Sequence, residues 1–179
     1  MPDYRRNRVP GGSYFFTVNL LERRRRLLIE HVDALRAVVR RVRDRQPFHI
    51  DAWVVLPDHL HCLWTLPPGD ADYSRRWKAI KTAFAKAVPR EELLSAVRRA
   101  KHERGIWQRR FWEHTIRDDR DYAAHMDYIC FNPVKHGWAE RVADWPYSSF
   151  HRLVRTGVYP GDWGGGVEVD GVFGERGND

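Results

Sequence analysis

Two apolar, β-prone runs stand side by side in the middle of the chain, residues 48–56 (FHIDAWVVL) and 59–66 (HLHCLWTL), with only Pro57-Asp58 between them. Two residues of that kind leave room for a tight turn and nothing longer, so the runs are expected as the arms of an antiparallel hairpin. A hairpin alone is marginal in water, and this one needs further strands or helices to cover it. The rest of the chain offers them. Residues 13–20 (SYFFTVNL) read as a first strand after Gly11-Gly12, and residues 111–116 as a last one. Between His31 and Arg45 the residues Val32, Leu35, Val38, Val39 and Val42 recur at helical spacing, with arginines on the other side. A second helix is expected over residues 73–87, with Trp77, Ile80 and Phe84 on one face. A third runs over residues 118–131, where Asn132-Pro133 is expected to halt it. Residues 89–104 read as a charged, helical excursion. After Trp145-Pro146 the periodicity fades, and residues 161–179 read as a Gly-rich tail behind one domain of residues 1–160.

Strand, helix, hairpin, helix, strand, helix describes an α+β chain. Its simplest arrangement is ferredoxin-like: one antiparallel sheet with helices packed on one face. Such a fold hosts many functions, so chemistry has to be read from residues.

Charge narrows the partner. Lys and Arg number 31 against 24 Asp and Glu, a formal net charge of +7, which favours nucleic acid before a membrane surface. Eight Trp argue against a disordered basic tail. Arg or Asp interrupts every apolar run before it reaches the ~18 residues of a membrane span. The N-terminus leads into no apolar signal core, and two cysteines, Cys62 and Cys130, make no disulfide framework. A cytoplasmic protein is expected.

The sharpest local feature is His59-Leu60-His61 at the start of the returning strand. Residues two apart on a strand share a face, so both imidazoles project together while Leu60 and Cys62 face the other side. Two imidazoles so placed suit one divalent cation; two ordinary half-buried histidines fit the spacing as well. Tyr128 and Asn132, four apart, share a face of the third helix. A phenol can attack phosphorus when a metal holds the phosphate, and an Asn carbonyl oxygen can ligate a cation. A core tyrosine and a helix stop before Pro133 are the competing readings of the same two residues.

The segments WVVLPDHLH (residues 53–61) and DYICFNPVKHG (residues 127–137), with WQRRFWEH (residues 107–114) between them, closely resemble the REP-associated tyrosine transposases. These belong to the single-strand endonucleases named for a His-hydrophobic-His motif. The likeness runs from about Tyr4 to Trp163. It implies His59 and His61 as the metal-binding pair, Tyr128 as the attacking tyrosine and Asn132 as the third protein ligand. The wider transposase group often has Gln at that last position. The implied cofactor is a divalent cation, Mg2+ or Mn2+. The implied reaction cuts one DNA strand, leaving a 5′-phosphotyrosine link and a free 3′-OH, and the implied target is a repetitive extragenic palindrome (REP) folded as a hairpin. Relatives work as monomers or as homodimers, so the oligomeric state stays open.

Basic residues fit that partner: Arg5, Arg6 and Arg8 before the first strand, Arg75, Arg76 and Lys78 at the start of the second helix, and Arg109, Arg110 and Lys135 beside the expected site. Trp107, Trp112 and Trp138 lie among them as candidates for stacking on unpaired bases. Two other functions compete. A non-catalytic nucleic-acid-binding module lacks the Gly-rich aromatic strand motif of RNA-binding sheets. A zinc hydrolase using His59, His61 and a cysteine is disfavoured because Cys62 should face away from the histidines.

Overall fold

The structure is a computed structural model and describes residues 6–92, 94–102 and 104–164. Four strands form one sheet: β1 (Ser13–Asn19), β2 (His49–Val55), β3 (His59–Thr65) and β4 (Trp112–Thr115). Their order is β2-β3-β1-β4 and every pairing is antiparallel. With α1 (Leu27–Glu30) and α2 (Val32–Arg45) between β1 and β2, and α3 (Tyr73–Ala87) and α4 (Ala96–Ala100) between β3 and β4, this is the expected ferredoxin-like order. The hairpin forms as expected, with the Leu56 amide donating to the His59 carbonyl across the turn.

One face is covered by α2 and α3. Val32, Leu35, Val38, Val39 and Val42 of α2 and Tyr73, Trp77, Ile80 and Phe84 of α3 meet Tyr14, Phe16, Val18, Leu60, Cys62 and Trp64. Trp64 stacks on Trp77 with centroids 4.4 Å apart. Full burial of each such side chain stabilises by about 1.5–3 kcal/mol. Asp72 caps α3 by accepting from the Arg75 amide at 3.0 Å.

The opposite face is not open, contrary to the one-sided arrangement expected from sequence. There α5 (Asp119–Lys135) lays Met126, Tyr128, Ile129 and Cys130 against Phe15, Ala52, Val54 and Leu63. The 3-10 turn Val142–Asp144 and α6 (Phe150–Arg155), which the fading periodicity did not announce, close the same side with Val142, Phe150 and Leu153. The physical reason stands in β1 and β3. Tyr14-Phe15-Phe16 and Leu60 to Trp64 are apolar or buried at consecutive residues, not alternate ones, and such strands need cover on both sides.

Two further expectations are corrected. Asn132-Pro133 does not halt the third helix, which continues through Pro133 to Lys135. The missing proline N–H costs little one turn from the end, where the helix closes on Gly137 at φ +70°: the Gly137 amide donates to Val134 and the Trp138 amide to Pro133. Among its described residues, the excursion over residues 89–104 contains one helix, the five-residue α4. It is pinned by Arg104, whose guanidinium pairs with Glu92 and donates to the Ala85, Val88 and Pro89 carbonyls. Of the expected Gly-rich tail, Trp163 packs on Tyr159 and Phe150; residues 165–179 lie outside the described residues.

Candidate active site

His59 and His61 point from β3 to the side covered by α5, as strand alternation requires, and both are buried, at 2% and 0% exposure. Their ring centroids are 4.9 Å apart, at 82° to each other. Each Nδ1 is held from behind. His59 Nδ1 lies 2.7 Å from Asp58 Oδ1, and Asp58 Oδ2 accepts from Arg23 Nε at 2.6 Å. Burial works to raise the Asp58 carboxyl, but the bonds from His59 and Arg23 prevail and bring it to about 2. Asp58 is therefore ionised and accepts a hydrogen bond from His59 Nδ1. That leaves Nε2 with its lone pair, buried and, among the described residues, without a hydrogen-bond partner, an arrangement that suits a metal ligand. His61 Nδ1 sits 2.8 Å from Thr17 Oγ1 on the neighbouring strand, directly across the β1–β3 register.

The helix α5 brings the tyrosine over the pair. Tyr128 is 4% exposed; its ring stands 5.3 Å from that of His61 and 5.8 Å from Phe15, edge-on to both. Asn132, one turn further on, is fully buried. His136, just past the helix, lies 5.4 Å from His59. All these side chains belong to one chain. Lys135, expected as a phosphate contact, donates from Nζ to the Tyr128 hydroxyl at 3.2 Å and lies 4.7 Å from that ring. Tyr122 points elsewhere, its hydroxyl donating to Asp51 Oδ1 at 2.9 Å. Asp51 is available for that bond because a bulge between Ile50 and Ala52 takes it out of the β2–β3 register.

Among the described residues, one group of three His, Cys, Asp or Glu side chains brings a ligand atom from each within 4.8 Å of the others: His114, Asp121 and His125. Sequence reading missed it. Asp121 and His125 at helical i, i+4 spacing were visible, but His114 joins them only through the β1–β4 pairing.

The basic residues divide. Arg8, Arg75, Lys78, Arg109 and Arg110 are exposed, while Arg5 lies outside the described residues. Arg6 donates to Ser74 Oγ at 2.6 Å and covers the Phe111 ring at 4.3 Å. Arg76 is corrected: it is 3% exposed and its guanidinium binds Asp70 Oδ2 and the Gln46, Pro47 and Asp72 carbonyls, which makes it a structural clasp. Trp107 is buried with its Nε1 on the Lys81 carbonyl, whereas Trp112 and Trp138 are 37% and 43% exposed. Arg109 borders a basic cleft of about 450 Å³ shared with Lys86, Arg90, Arg98 and Arg104. Cys62 packs with Leu60 on the far face, away from His61.

The chain and its fold have close counterparts. The family described as Transposase IS200 like matches residues 12–131. The REP-associated tyrosine transposase of Escherichia coli (strain K12) is 50% identical, over 98% of this chain and 98% of that protein. A Haemophilus influenzae relative named for the same kind of transposase is 46% identical, over 94% of this chain and 97% of its own. The solved structure of a REP-associated tyrosine transposase bound to a REP hairpin superposes with a TM-score of 0.85 at 50% identity, covering 98% of each chain. The chain belongs to the IS200-like transposases and, within them, to the REP-associated tyrosine transposases. No helix among the described residues is long and apolar enough to cross a membrane.

Proposed function

We propose that this transposase cuts and rejoins one strand of a REP hairpin, with Tyr128 as nucleophile and His59, His61 and Asn132 as holders of a divalent cation, Mg2+ or Mn2+. The observation that carries this reading is the Tyr128 ring 5.3 Å from His61 within a single chain. The buried lone pair of His59 Nε2 fits a cation as its partner. When bound there, the cation would neutralise charge on the scissile phosphate. The Tyr128 oxygen attacks phosphorus and gives up its phenolic proton, the bond to the 3′ oxygen breaks, and that oxygen takes up a proton in turn to leave as a free 3′-OH. The bond energy stays in the 5′-phosphotyrosine link, so rejoining by a 3′-OH needs no ATP. Lys135 orients the phenol through its hydrogen bond, and its charge favours the approach of a phosphate.

Exposed Arg8, Arg75, Lys78, Arg109 and Arg110, together with Arg5, contact the backbone. Trp112 and Trp138 are placed to stack on unpaired bases for roughly 1–3 kcal/mol each. The protein works in the cytoplasm, on nucleoid DNA.

Labelled hairpin DNA incubated with the protein and Mn2+ or Mg2+ should give an adduct that survives denaturation. Tyr128→Phe should abolish it while DNA binding persists. Tyr122→Phe, which removes only the bond to Asp51 and roughly 0.5–1.5 kcal/mol of stability, should keep it. An undiminished adduct with Tyr128→Phe would refute the assignment.

A further inference from the structure

On the far side of Phe15 from the His59/His61 pair, β4 and α5 bring two imidazoles to one carboxylate. His114 Nε2 lies 2.8 Å from Asp121 Oδ2, and His125 Nδ1 lies 3.1 Å from Asp121 Oδ1. The two rings stack with centroids 4.7 Å apart and 12° between their planes. We propose that His114, Asp121 and His125 form a second metal site, distinct from His59 and His61, which takes a first-row transition-metal ion such as Zn2+.

The donor set is the first support. Two imidazoles and one carboxylate leave positions for water or an anion, and imidazole-rich sites select ions of the zinc type over Mg2+. Position is the second. Asp121 and His125 are buried, whereas the His114 side chain is 29% exposed, so solvent reaches the group from that side.

Arg117 also faces this carboxylate, donating to Oδ2 from its backbone amide at 2.9 Å and from Nε at 3.2 Å, beside His114 Nε2 at 2.8 Å. The Arg117 side chain is 75% exposed and can turn outward when an ion enters. His125 Nδ1 also lies 2.8 Å from the Asp121 carbonyl, a contact it exchanges for the ion on binding.

An ion here ties β4 to α5 one turn before Tyr128. The His125 and Tyr128 rings both pack on Phe15, at 4.7 and 5.8 Å. Occupancy therefore stiffens the helix that carries the tyrosine, without touching its oxygen. The proposal does not depend on the roles given to Tyr128 or His59.

Calorimetric titration of the metal-free full-length protein with Zn2+, with bound Co2+ absorbance as a second readout, tests it. The wild type should take two equivalents. His59→Ala/His61→Ala should retain one, and its melting temperature should still rise on adding Zn2+. His114→Ala, at the exposed ligand, should weaken the retained site at least tenfold. Asp121→Asn, which keeps the volume, should do the same if His114→Ala does not fold. A wild type that takes a single equivalent, lost with His59 and His61, would overturn the proposal. So would Zn2+ uptake unchanged in a folded His114→Ala or Asp121→Asn protein.

Discussion

A buried imidazole makes a good ligand when its other nitrogen is occupied, and both histidines of the pair meet that condition by different means. Asp58 holds His59 through charge; Thr17 holds His61 across the sheet. The alternation His59-Leu60-His61 was enough to put the rings on one face, so this part of the site was legible in the chain. The supports were less so. Asp58 is adjacent in sequence, but Thr17 enters only through strand register. Arg76 shows the converse error. Counted from Tyr73 it stands at i+3, with Trp77 at i+4, Ile80 at i+7 and Phe84 at i+11, inside the buried stripe of α3, so helical phase should have overridden its charge. Lys81 gives the clearest pH signature. Burial, with repulsion from Arg6, pushes its ammonium down to about 8, while Nζ donates to the Gln108 carbonyl at 2.8 Å. Below pH 8 the folded protein carries a poorly solvated charge. Between there and the unfolded value near ~10.4 the unfolded chain binds more protons, so stability attributable to Lys81 rises with pH. Lys81→Met should melt higher than wild type near pH 7, and the gap should narrow towards pH 10.5. A gap that stays constant across that range would contradict the assignment.

At the scale of elements, α5 carries the most. Its one apolar face seats Met126 and Ile129 on the sheet, and the same phase delivers Tyr128 and Asn132 inward. The proline rule suggested a stop at Asn132, and it failed because it concerns average local preference, not a last turn whose carbonyls find partners beyond the helix. The closing turn depends on Gly137 at φ +70°, where an added Cβ meets nothing within 4 Å. Gly137→Ala should therefore cost only backbone strain, about 1–2 kcal/mol, or roughly 2–4 °C in melting temperature per kcal/mol for a chain of this size. Adduct formation should slow as well, because Lys135 lies in that turn and holds the Tyr128 hydroxyl. A variant that melts like wild type would show that another residue accepts the left-handed conformation freely.

The whole molecule places every proposed catalytic group in one chain, and that has a test free of assumptions about oligomer size. Mixing Tyr128→Phe with His59→Ala/His61→Ala protein should restore no adduct, since neither chain holds both halves of a site. Recovery on mixing would mean that tyrosine and histidines meet across two copies. The ferredoxin-like strand order was readable from element order alone. The second layer was not: it shows only in the consecutive apolar residues of β1 and β3, which demand cover on both faces, and strand identity alone does not say what covers them.

The order β2-β3-β1-β4 also sets a timetable for synthesis. The strand that leaves the ribosome first is one of the two central ones, and it waits for partners encoded far downstream. β1 gains β3 only after residue 65 has emerged and β4 only after residue 115. At ~5–20 residues per second that is an interval of several seconds, during which Tyr14, Phe15 and Phe16 have no sheet to join. The helix bearing Tyr128 comes later still. On the roles proposed above, a chain stalled before α5 carries both histidines and lacks Tyr128, so neither cutting nor rejoining can begin until that helix has been made.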